Sequence, residues 1–160
     1  MKKRLTLKNI TIFLIFLLLL IQSVRFDKTS EPLDPAKDFV TITSANAEVS
    51  HILKTACYDC HSNQPTYPWY SNLAPISWWM QNHIDEGSHH LNFSIWGTYS
   101  EKRKDHKLEE CIEMVEEDEM PMASYTWMHK EAKLTDAQKL QLVEFFKATR
   151  SAIVVPEGKP

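Results

Sequence analysis

Residues 57–63 read CYDCHSN, and they hold two of the chain's three cysteines with a histidine directly after the second. Each cysteine can add its thiol across one vinyl group of haem, and a histidine next to the second is then held beneath the iron. C-x-x-C-H therefore reads as attachment of one covalent c-type haem, with Cys57 and Cys60 as tethers and His61 as proximal ligand. Two other chemistries use paired cysteines. Structural zinc needs four ligands, for which Cys111 stands alone and only His83, His89 and His90 are at hand. A thioredoxin-like pair needs a βαβ setting, whereas these cysteines are followed by polar, aromatic and proline-rich sequence.

Haem attachment of this type belongs outside the bacterial cytoplasm, so the N-terminus tests the idea. MKKRLTLKNITIFLIFLLLLIQSVRF places Lys2, Lys3, Arg4 and Lys8 around the start of an apolar run from Ile10 to Ile21, with no acidic residue before Asp27. That is an export signal of the positive-inside kind. No small-x-small cleavage site follows the run, which predicts an uncleaved anchor over residues 1–25. The expectation is a single-pass protein of the cytoplasmic membrane, with the remainder in the periplasm.

Residues 26–160 carry 13 basic against 21 acidic side chains, a net charge of −8. An acidic body excludes nucleic acid as a partner and permits docking to a basic protein patch. DKTSEPLDPAKD, polar and without periodicity, reads as part of a flexible spacer over 26–40. A single domain over 41–150 and a tail over 151–160 complete the chain, leaving one small core that a large cofactor would help to fill.

Within the domain the apolar pattern is helical. Val49, Ile52, Leu53 and Ala56 share one face of a helix that ends at the haem motif. PISWWMQNHIDEGSHH predicts a helix after Pro75 that stops at Gly87. Leu108, Cys111, Ile112 and Val115 form the apolar stripe of another helix, with acidic residues opposite, so Cys111 is a small core residue. Thr135 and Gln138 have capping-box spacing ahead of a C-terminal helix that carries Leu142, Phe145 and Phe146. Between residues 58 and 99 lie nine aromatics, which read as a pocket wall.

The iron's sixth position separates an electron carrier from a catalytic or sensing haem. Met120 is the leading candidate, since it precedes Pro121 on a loop whose direction the proline restricts. Met122 and a histidine, with His83 and His89 foremost, are the alternatives. Met80, Met114 and Met128 read as core fillers.

The order helix, C-x-x-C-H, aromatic segment, helix, Met-Pro, helix resembles a small class I cytochrome c. CYDCHSNQPTYPWYSNLAPISWW, HIDEGSHHLNFSIW, EMP and HKEAKLTDAQ are similar to the marks of the bacterial haem-binding domain family, over roughly residues 45–148. The resemblance implies an all-α domain enclosing one haem c on Cys57 and Cys60, preceded by a transmembrane helix. It also implies His61 and Met120 on the iron, and terminal helices that cross. The pattern departs from the family at Asp118, where a glycine is expected before EMP, and at Lys130. Single-electron transfer with respiratory or periplasmic redox partners is the function expected. The alternative is a peroxidase-like haem enzyme or a haem sensor with an open distal site, although no second C-x-x-C-H is present.

Overall fold

A computed structural model describes residues 6–153; Lys2, Lys3 and Arg4 and the tail from residue 154 lie outside the described residues. Among these the chain forms α1 (Leu7–Ile21), α2 (Phe39–Ile42), α3 (Ala47–Ala56), α4 (Tyr58–His61), α5 (Ile76–His90), α6 (Glu101–Glu116), α7 (Ala123–Met128) and α8 (Asp136–Ser151). Short 3-10 turns lie at Trp69–Asn72, Phe93–Thr98 and Lys130–Ala132, and no strand is present among the described residues.

The expected transmembrane helix is overturned. No described helix is long and apolar enough to cross a membrane. With 15 residues, α1 is about 22 Å long against a hydrocarbon core of about 30 Å. The helix ends with the apolar run at Ile21, and Gln22 follows as its C-cap. Gln22 exchanges hydrogen bonds with the backbone of Ala74, its Nε2 donating to the carbonyl at 3.0 Å and its Oε1 accepting from the amide at 2.9 Å. The indole of Trp78 donates to the Val24 carbonyl at 2.9 Å. Residues 22–24 are thus drawn onto the corner before α5, and the single-pass assignment with a periplasmic haem domain falls with the spanning helix.

The core follows the apolar stripes. α3 buries Val49, Ile52, Leu53 and Ala56; α6 buries Leu108, Ile112 and Val115, with Cys111 packed partly buried beside them. α8 buries Leu142, Val143 and Phe146 behind an intact Thr135–Gln138 capping box. α6 and α8 form the most extensive helix pair, and α8 also touches α3. Arg150 of α8 ties that pair with a fork to Asp105 of α6, at 2.7 and 3.3 Å, and a further bond to Glu109.

Half of the aromatic segment goes into this core rather than into a pocket wall. Phe93 and Trp96 are almost fully buried, and Phe39, from the 26–40 segment, sits between them at ring distances of 5.0 and 4.8 Å. Tyr58 stacks on Phe93 at 5.3 Å. The apolar faces of α3 and α8 close around these rings, which brings the end of α3 and all of α4 against the middle of the domain.

α5 does not stop at Gly87 but continues for three residues to His90. Gly87 is helical, and its role is contact. A Cβ built there would meet the Cys60 carbonyl oxygen at 2.9 Å and the Cys60 Cβ at 3.2 Å. The absence of a side chain lets α5 lie directly on the cysteine motif.

Candidate haem-binding site

α4 carries Cys60 and His61, and Cys57 caps it. The His61 ring turns toward the C-terminal end of α5, where its Nδ1 lies 3.0 Å from the Gly87 carbonyl and 3.1 Å from the Leu91 carbonyl. Carbonyls only accept, so Nδ1 carries the proton and donates to both. Nε2 is then the unprotonated, metal-binding nitrogen, and it has no protein partner among the described residues. Burial pulls the imidazole below its ordinary range, outweighing the two carbonyls that favour the cation. A neutral, oriented imidazole results.

Cys57 and Cys60 are free thiols. Burial pushes Cys57 up to about 12 and Cys60 up to about 11, so both are protonated at neutral pH. Cys111 is also free, and burial holds it above its ordinary value, as expected of a core thiol.

All four residues expected at the site come together. Cys57, Cys60, His61 and Met120 line one hollow of about 220 Å³, with Met122, His83 and Gly87 also in its wall. A second, largely apolar hollow of about 770 Å³ adjoins it and shares Cys60, His83, Met122 and Tyr125. That larger space alone falls within the ~300–1,000 Å³ typical of cofactor-sized pockets. Its walls include Trp69, Tyr70, Trp79 and Met80, the part of the aromatic segment that stays out of the core, together with Met128. The donor set, an imidazole with a free Nε2, two thiols and two thioethers around apolar space, fits a haem. Among the described residues no three His, Cys, Asp or Glu side chains converge as metal ligands, so the four-ligand zinc alternative is not assembled.

The other candidates separate. His83 lines both hollows and its Nδ1 bonds the Trp79 carbonyl at 2.8 Å, whereas His89 is exposed and lines neither. His90 and His106 both face Glu110, each at 3.2 Å.

The Met120 loop is fixed by how α6 ends. The amide of Asp118 bonds back to the Val115 carbonyl and that of Glu119 to the Met114 carbonyl, a Schellman turn with Asp118 left-handed at φ 61°. This is the position where the resemblance leads to an expectation of glycine, and the aspartate takes up a left-handed conformation that glycine favours. The Met120 amide also bonds the Met114 carbonyl, at 3.0 Å.

Several supporting residues carry no sequence signal of their own. Asn63, after the motif, donates its amide to Ser94 Oγ at 3.0 Å and accepts at Oδ1 from Asn92 Nδ2 at 2.6 Å, joining CHSN to LNFS. Asp59, inside the motif, accepts from the Tyr125 hydroxyl at 2.6 Å and from the Thr66 amide at 2.9 Å. Tyr70 donates to His129 Nε2 at 2.7 Å.

A buried imidazole and paired thiols beside apolar space, on an all-helical frame, define a haem-binding protein. The chain matches the model of the haem-binding domain family over residues 16–148, and it belongs to that family. No curated protein and no solved structure matches it.

Proposed function

We propose that this protein carries one haem c and exchanges single electrons with partner proteins, with thioether bonds to Cys57 and Cys60 and with His61 and Met120 as axial ligands. The observation that carries the reading is the common hollow: these four side chains line one space, and His61 offers it an unprotonated Nε2. The haem would supply a one-electron couple, which a thioether ligand shifts toward the ferrous state. The chain's own residues do the rest. The Gly87 and Leu91 carbonyls hold the His61 tautomer and raise the basicity of its ligating nitrogen. The core behind α4 keeps water from the proximal side, and the Schellman turn sets the path of the Met120 loop. Cys57 and Cys60, both free thiols, would add across the two haem vinyl groups to form the tethers.

A second reading, a catalytic or sensing haem with an open distal position, draws on His83, which lines the same space as Met120. Optical spectra of the matured protein separate the two, ferric and ferrous, with and without carbon monoxide. The electron carrier gives a low-spin iron with a far-red methionine-to-iron band and no carbon monoxide adduct. A high-spin iron that binds carbon monoxide favours the second reading, and absence of covalent haem refutes the role of Cys57 and Cys60. Met120→Ala is expected to abolish the far-red band, whereas Met122→Ala retains it.

A further inference from the structure

We propose that Asp59 and Tyr125 are positioning residues for the distal ligand: their hydrogen bond latches the Met120 loop to the helix that bears the proximal histidine. The inference rests on the reading of Met120 as the distal ligand and says what holds it there. Asp59 is one residue before Cys60 on α4, and its two carboxylate oxygens are divided between two partners. One accepts from the Thr66 amide at 2.9 Å; the other accepts from the Tyr125 hydroxyl at 2.6 Å. Tyr125 is in the first turn of α7, which begins one residue after Met122.

The distal loop therefore has two anchors of different kinds. Behind it, the amides of Glu119 and Met120 are fixed to the Met114 carbonyl at the end of α6. Ahead of it, the Tyr125 hydroxyl reaches Asp59 of α4 across 66 positions of sequence, with the Thr55 carbonyl of α3 as a second, longer acceptor at 3.4 Å. The Tyr125 ring is steadied by stacking on His129 at 4.4 Å and 15°, and His129 is in turn held by the Tyr70 hydroxyl at 2.7 Å. Tyr125 also lines both hollows, so its hydroxyl bond closes the space that Met120 and Met122 face.

A charge-assisted bond of this length is stronger than a neutral one, and its loss changes the balance between a closed and an open loop by roughly tenfold or more. A ligand that competes with the methionine reads that balance. Tyr125→Phe keeps the ring, its stacking and its volume and removes only the hydroxyl. Asp59→Ala removes the side-chain acceptor, and Asp59→Asn leaves one oxygen for the Thr66 amide and turns an Nδ2 donor to the Tyr125 hydroxyl, a neutral bond in place of the charged one.

The experiment is titration of the ferric, haem-matured full chain with imidazole, following the far-red band, with circular dichroism to establish that each variant is folded. Tyr125→Phe and Asp59→Ala are expected to bind imidazole about tenfold more tightly than the parent, and Asp59→Asn to stay within about threefold of it. A purely structural bond would lower unfolding resistance and leave imidazole affinity unchanged; that result, with the parent's far-red band present, overturns the latch alone. A parent without the far-red band overturns the methionine ligand and the latch together. If Asp59→Ala does not mature, Tyr125→Phe decides, because it leaves the haem motif untouched.

Discussion

The two faces of the haem site are held by different forces. On the proximal face, His61 is fixed by backbone carbonyls of α5, and α5 is fixed by direct contact of Gly87 with Cys60. Behind it stand rings such as Phe93 that are almost fully buried. On the distal face, Met120 and Tyr125 are only partly buried, Trp127 is 73% exposed, and side-chain hydrogen bonds carry the closure. Packing gives a stiff support, whereas isolated bonds between partly wet side chains give one that can open. On the proposed haem reading, the difference suits a site in which His61 stays in place while Met120 is adjustable.

The contrast breaks most readily at the rings. Phe93 touches Tyr58, Phe39 and the edge of His61, at 5.3, 5.0 and 6.3 Å between ring centres. Phe93→Ala is expected to cost about 3–5 kcal/mol in denaturant unfolding, and Trp127→Ala on α7 about 0.5 kcal/mol or less. Equal losses would mean that the distal face is as tightly packed as the proximal one.

Glycine 87 gives the next largest effect. An alanine there gains up to about 1 kcal/mol of helix propensity but meets backbone that cannot give way, so a net loss of about 1–3 kcal/mol is expected. The yield of covalent haem should fall with it, because the displaced α5 carries the Gly87 carbonyl and leads directly into Leu91, the two acceptors of His61. Gly97→Ala serves as comparison: its nearest clash, at 2.9 Å, is Ile42 Cδ1, the end of a flexible side chain, and the Lys37 Cα at 3.1 Å need give by only a few tenths of an ångström. A smaller loss and normal haem content are expected there, measured by urea midpoint and pyridine haemochrome.

Asp118 reverses the logic on the distal side. Its φ of 61° is where glycine is at ease, and the carboxylate compensates in part by pairing with Lys139. The pair is exposed and screened by solvent, so it offsets little of the roughly 1 kcal/mol that the left-handed conformation costs. Asp118→Gly is therefore expected to raise stability by up to about 0.5 kcal/mol while leaving the far-red band in place. Loss of the band would show that the ion pair, rather than the turn, sets the Met120 loop.

The proximal face was legible in sequence because it is local: a pentapeptide names Cys57, Cys60 and His61, and the stripes of α3, α6 and α8 give their own buried faces. Met120, singled out by the adjacent proline, lines the same hollow as those three residues. The distal supports were not legible, since Asp59 and Tyr125, or Tyr70 and His129, are ordinary residues until the fold joins them. Gly87 was read as a stop because glycine commonly ends helices; its real constraint is a contact 27 positions away, visible only in three dimensions. The leader misled in the same way, as its sequence does not reveal the bonds that Ala74 and Trp78 make with residues 22–24.

The smallest expected effect lies behind both faces, in the fork from Arg150 to Asp105 that joins α8 to α6. Hydrogen bonding to the guanidinium holds the Asp105 carboxyl below its ordinary value near 3.8. Because the folded state is the one with the lowered value, the contribution to stability is complete above pH 3.8 and is lost as the pH falls from there through the lowered value. Asp105 is about one-third exposed, so solvent limits the pair to about 1 kcal/mol or less. Asp105→Asn is accordingly expected to lower the urea midpoint at pH 7 by that amount and to make progressively less difference as the pH falls below 3.8. The same substitution should leave the far-red band unchanged at pH 7, because the fork touches neither His61 nor the Met120 loop. A change in that band would mean that the α6–α8 pair transmits strain to the distal face through the end of α6, and that the two faces share a support the contrast between them denies.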